Sequence, residues 1–125
     1  METLEKTVKK EKKVTKPLEE TERQTIVHCS HFLEAGDGIR IWKTTYLIEI
    51  PTGRKRKLLH AENISIYPTW TIMDKGGNYK FTLIFEGLSK DCGSFDLIEE
   101  IPQPGGFECR GIKRNQTDVY RVTIK

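Results

Sequence analysis

The sequence predicts an all-β domain, an antiparallel β-sandwich of seven to eight strands, on three observations. From Gln24 onward, short runs rich in Val, Ile, Thr, Tyr, Phe and Trp are separated by Gly, Pro, Asn and Asp about every ten residues. The stretch Tyr79 to Glu100 alternates cleanly, with Tyr79, Phe81, Leu83 and Phe85 on one phase and Lys80, Thr82 and Glu86 on the other. No segment of the domain carries a sustained helical period, so strands follow strands without βαβ crossovers.

Each element follows from local chemistry. A first strand is expected over about Thr25 to Leu33, ending at Glu34-Ala35-Gly36-Asp37-Gly38, whose glycines suit a tight reversal. A second covers Ile39 to Ile50, and its apolar residues on both faces predict a central strand or a bulge. Pro51-Thr52-Gly53 is a turn, after which Arg54 to His60 pairs back as a hairpin. Asn63 to Met73 forms a fourth region with Ile64, Ile66, Trp70 and Ile72 in phase, marked by Pro68 as an edge or bulge. Asp74 to Asn78 closes a hairpin into the Tyr79 strand. Two last strands, Phe107 to Lys113 and Asp118 to Ile124, follow the Pro102 to Gly106 loop. The expected core is Trp70, Phe81, Leu83, Phe85, Leu97, Tyr120 and Val122.

The chain has 125 residues, which suits one domain able to bury its own core. Residues 1 to 23 hold few aliphatics and many charges, too little apolar surface to offset the entropy of ordering them, so a disordered charged tail precedes a domain over residues 24 to 125. The net charge of +3 excludes a strong nucleic-acid signal from charge alone. No apolar run approaches the roughly 20 residues of a membrane span, and no signal-peptide h-region opens the chain. As it stands the sequence predicts a soluble cytoplasmic monomer, with the cell envelope or secretion as the alternative if a leader precedes Met1. Three cysteines, Cys29, Cys92 and Cys109, do not make a disulfide framework, so reduced thiols are expected.

Thr45-Tyr46-Leu47-Ile48, Thr52-Gly53-Arg54-Lys55, Lys57-Leu58-Leu59-His60-Ala61-Glu62-Asn63-Ile64, Phe81-Thr82-Leu83-Ile84-Phe85-Glu86 and Phe95-Asp96-Leu97-Ile98-Glu99 together resemble a poorly characterised Ig-like β-sandwich module of Bacteroidetes-type bacterial proteins. The likeness runs over about Thr25 to Ile112 and departs at Gly87, where that family usually has Pro. The resemblance implies an Ig-like sandwich and an accessory, noncatalytic role, and it supplies no catalytic residues. Fold-level likeness names no ligand.

Candidate chemistry is thin. His28, Cys29 and His31 are adjacent in sequence, and His60, Cys92 and Cys109 could complete a tetrahedral set, but on a strand Cys29 and His31 share one face while His28 points away. No C-x2-C or H-x3-H spacing is present, so neither metal nor cofactor is expected, and a Cys–His nucleophile lacks its geometry. Glu86, Asp91, Asp96, Glu99 and Glu100 read as solvated strand-end and turn carboxylates rather than a glycosidase pair. Asn63 and Asn115 head sequons and read as turn residues. Arg54, Lys55, Arg56 and Lys57 follow a hairpin turn and are the candidate ligand-binding run; Tyr67 is the candidate exposed ring. The expected function is a noncatalytic interaction or scaffold module with a protein or glycan partner. The alternatives are a binder of polyanions, nucleic acid or anionic glycan, through the basic runs at 6–16 and 54–57, and a metal- or thiol-dependent enzyme.

Overall fold

A computed structural model describes residues 23–125. The expected tail, with the basic run at 6–16, lies outside the described residues. Nine strands and no helix make up the described chain: β1 (Gln24–Leu33), β2 (Gly38–Ile39), β3 (Thr45–Ile50), β4 (Lys55–Glu62), β5 (Thr71–Ile72), β6 (Gly77–Glu86), β7 (Ser94–Glu99), β8 (Glu108–Lys113) and β9 (Val119–Ile124). No helix among the described residues is long and apolar enough to cross a membrane.

Seven strands join in one sheet, ordered β8-β7-β3-β4-β6-β1-β9, while β2 and β5 form a separate two-stranded ribbon. The two outermost strands of the large sheet, β8 and β9, touch, so the sheet curls toward a barrel. The expectation of an antiparallel sandwich differs in two respects: a single sheet wraps the core, and β1 pairs with β9 in parallel, Val27 opposite Tyr120 and Cys29 opposite Val122. A sheet that closes on itself hides its edges as effectively as a second layer does.

Period-two alternation determines which side chains enter the barrel. Val27 and Cys29 of β1, Leu47 of β3, Phe81, Leu83 and Phe85 of β6, Phe95 and Leu97 of β7, and Tyr120 and Ile124 of β9 are all buried. Of the expected core, Phe81, Leu83, Phe85, Leu97 and Tyr120 are buried, and Val122 packs against them half-buried. Trp70 is the exception at 52% exposed. Its phase predicts an inward side chain, but the region from Asn63 to Met73 contributes only the two residues of β5 as strand, plus an isolated parallel bridge from Ile41 to Ile66. The expected second strand is likewise broken, into β2 and β3, with irregular chain between them.

One clamp ties the closing end of the barrel together. Arg114, just after β8, donates from Nε and Nη2 to the Asp118 carboxylate at 2.6 and 3.1 Å, and from Nη1 to the carbonyls of Ser89 and Cys92 at 2.7 and 3.0 Å. Tyr120 donates its hydroxyl proton to the same carboxylate at 2.8 Å. Burial alone would raise the Asp118 pKa, but the Arg114 and Tyr120 bonds outweigh it and hold the acid below its ordinary value. The clamp anchors the β6–β7 crossover, which forms one wall of a cavity beside Arg54 and Arg56.

Candidate functional site

The basic run divides by strand phase. Gly53 takes φ +79° in the turn, and β4 then returns along β3 with Leu47 opposite Arg56 and Ile48 opposite Lys55. Arg54 and Arg56 therefore turn to the inner side of the sheet's end, while Lys55 turns outward, where its ammonium lies 4.9 Å over the Tyr46 ring and 2.9 Å from Glu100. Lys57 is exposed, with its backbone N–H held by Glu86 at 2.8 Å. The four charges do not form one stripe, and Tyr67 lines none of the space around Arg54 and Arg56.

On the inner side, both guanidiniums converge on one hydroxyl. Arg54 Nη1 donates to Ser89 Oγ at 2.8 Å and Arg56 Nη2 donates to the same atom at 2.6 Å. Arg56 Nε also pairs with Glu49 at 2.8 Å, and that carboxylate accepts from the Ser89 backbone N–H at 2.8 Å. Glu49 is buried on the inward phase of β3, after Thr45 and Leu47. Burial raises its pKa, and the Ser89 and Arg56 bonds more than reverse that, leaving it below the ordinary value. A cavity of about 490 Å³, lined by Arg54, Arg56, Gly87, Leu88, Ser89, Lys90 and Asp91, opens beside this group.

A second constellation lies on the β2–β5 ribbon and the irregular chain around it. Trp42 stacks on Tyr67 with centroids 3.8 Å apart, and the Arg40 guanidinium sits 4.6 Å from the Tyr67 ring and 3.8 Å from the Trp70 ring. The planes thus succeed one another as Trp42, Tyr67, Arg40, Trp70. Gly38 makes room for the last of them, since a Cβ there would come within 2.9 Å of the Trp70 ring. Tyr67 is 44% exposed, as expected of it, and Ile72 at 58% extends the patch. A ring stacked on a guanidinium is held in place while its edge stays open to a partner.

The pleat separates His28 from Cys29 and His31, and each imidazole is bonded elsewhere. His28 shares a 2.8 Å hydrogen bond with Thr82, and His31 bonds the Ile124 carbonyl at 2.8 Å while its ring meets Phe107 edge-on. Cys29 is buried, and burial, reinforced by nearby Cys109, pushes its thiol up to about 12. Burial also raises Cys92 and Cys109. All three are free thiols, and no group of three or more His, Cys, Asp or Glu among the described residues is arranged to hold a metal ion. Half-buried Cys109 is expected to react first with a disulfide reagent, and Cys29 only on unfolding. Mass mapping after brief labelling checks this; modification of Cys29 in the folded chain at the rate of Cys109 would contradict it.

Sequence reasoning missed Glu49, Ser89 and Arg40. An acid on the buried phase of an apolar strand is a signal that a cation must reach it, and Thr45-Tyr46-Leu47-Ile48-Glu49 carries that signal. Glu99, expected to be solvated, is also buried at 7% exposure, but backbone amides rather than a cation satisfy it: it accepts from the N–H groups of Trp42 and Phe107 at 2.9 and 3.0 Å. Asp96 caps the chain at Gly111 N with a 2.8 Å bond. The chain matches no known protein family, no curated protein and no solved structure.

Proposed function

We propose that the domain is a noncatalytic binding module for a protein partner, with the Arg40–Tyr67–Trp70 face as its working surface. An accessory role of this kind is also what the resemblance to Ig-like bacterial modules implies. The supporting observation is the stacked series itself: Trp, Tyr and Arg are the residue types that dominate binding energy at protein interfaces, and here Tyr67 and Trp70 are exposed with half-buried Arg40 stacked between them. Among the described residues Arg40 makes one hydrogen bond, from Nη1 to the Pro68 carbonyl at 3.2 Å, which leaves its other N–H groups as donors for a partner. The complementary partner surface presents a carboxylate flanked by apolar side chains, the first for Arg40 and the second for Trp70 and Ile72. The division of Arg54 to Lys57 between two sides gives a tracked polyanion no continuous contact line.

Trp70→Ser is expected to weaken capture of such a partner at least thirtyfold, the equivalent of a hot spot worth about 2 kcal/mol. Quantitative capture by the immobilised full chain, comparing wild type, Trp70→Ser, Arg40→Gln and Lys57→Gln, tests the reading. Equal capture by all four would overturn it. Circular dichroism of each variant separates lost binding from lost fold.

A further inference from the structure

We propose that Arg54, Arg56 and Ser89 form a binding site for a phosphomonoester carried on a small polar molecule. This site shares no residue with the Arg40–Trp70 face and does not depend on it.

An electrostatic imbalance marks the site. Two guanidiniums meet at one neutral hydroxyl oxygen, and like charges brought this close repel unless an anion compensates them. Glu49 neutralises Arg56 through its 2.8 Å bond to Nε. Arg54 has no carboxylate partner among the described residues, its one bond there being the 2.8 Å contact to Ser89 Oγ. One positive charge is therefore uncompensated at the cavity wall.

Donor geometry identifies the anion. Arg54 retains Nε and Nη2, and Arg56 retains Nη1, as donors without acceptors among the described residues. Ser89 Oγ accepts from both arginines and its side chain also bonds the Glu49 carboxylate, so Ser89 holds the two guanidiniums together while their remaining N–H groups stay open to a ligand. Donors from two guanidiniums that meet at the Ser89 hydroxyl thus approach from different directions. A tetrahedral oxyanion takes bonds that way, whereas a planar carboxylate is matched by a single guanidinium fork. Ser89 is rigid because Glu49 holds its N–H and Arg114 its carbonyl, so the donors are organised before any ligand arrives.

Size and rim restrict the ligand further. The cavity of about 490 Å³ falls within the range of small-molecule sites, roughly 300 to 1,000 Å³, and leaves space beyond a phosphate for a polar remainder. Lys90 and Asp91 on the rim carry opposite charges, so the positive potential is concentrated at the arginines rather than spread along a track. A single phosphate fits this pattern better than a polyanion does.

The test is a titration of the isotope-labelled full chain, followed by NMR at low salt, with inorganic phosphate, glucose 6-phosphate and a heparin oligosaccharide as probes. Saturable shifts at the Ser89 amide and the Arg54 and Arg56 side chains are expected with both phosphates, tighter for glucose 6-phosphate. Arg54→Gln is expected to weaken both about tenfold and Ser89→Ala about threefold, with the spectrum otherwise folded. Lys55→Gln and Lys57→Gln should leave them unchanged. Absence of a saturable shift at Ser89, equal losses from the lysine variants, or heparin binding tighter than either phosphate and in proportion to its length would each overturn the assignment.

Discussion

Truncating Phe85 to Ala is expected to lower the free energy of unfolding by about 3 to 5 kcal/mol, the range for a buried aromatic whose site cannot collapse. Phe85 is 0% exposed and sits on β6 between Thr25 of β1 and Leu58 of β4. Three hydrogen-bonded strands hold the backbone around it, so the neighbouring chain cannot move in to fill the void. Leu83 on the same face and Phe95 from β7 are also 0% exposed and would lose contacts on the cavity side. Urea unfolding of the two proteins measures the difference. A loss below about 1 kcal/mol would mean that the side chain can be accommodated elsewhere and that β6 does not organise the core.

How much of this was legible in the sequence depends on the range of the interaction. Phe81, Leu83 and Phe85 could be assigned from alternation alone because β6 and its neighbours stay extended for their whole length. The turn at Pro51 to Gly53 was legible because residue chemistry determines it locally, and the register of β3 on β4 followed. Trp70 and Ile72 misled for a physical reason: their phase matches Ile64 and Ile66, yet β5 pairs only with the two residues of β2, and no layer among the described residues covers its outer side. Parallel pairing of β1 with β9 joins residues about ninety apart in sequence, such as Ile26 and Val119, and no local pattern encodes it. Site chemistry divides likewise. The strand phase of β4 divides the Arg54 to Lys57 run between two sides, whereas Ser89 enters the site only through the crossover that Arg114 anchors. Arg40 became legible only once Tyr67 and Trp70 were seen to sandwich it.

Raising the pH from about 9 to about 12 is expected to remove on the order of 6 kcal/mol of stability, much of the roughly 5 to 15 kcal/mol that holds a domain folded. Two buried acids cause this. Cys29 ionises near 9.0 when solvated but is pushed up to about 12 in the fold, first by burial and then by proximity to Cys109. Tyr120 moves from 10.0 to about 12, chiefly by burial and then because its proton is committed to the Asp118 carboxylate 2.8 Å away, partly offset by the N–H bond from Asn115. Both folded-state values lie above the unfolded ones, and both groups are neutral when protonated. Below the unfolded values neither affects the balance between folded and unfolded chains. Between the unfolded and folded values the unfolded chain sheds protons that the folded chain keeps, so stability falls as pH rises. At about 1.4 kcal/mol per pH unit, Cys29 accounts for roughly 4 kcal/mol and Tyr120 for 2 to 3. Glu49 and Asp118 act in the opposite window, because their lowered values add stability above the ordinary carboxylate range that is lost as pH falls through it. Urea midpoints from pH 7 to 12 for wild type, Cys29→Ala and Tyr120→Phe check the alkaline limb. Lysine titration is common to all three, so their differences isolate the two buried groups. Cys29→Ala should start less stable and lose less above pH 9; a parallel decline in all three proteins would show that neither group is the alkaline trigger.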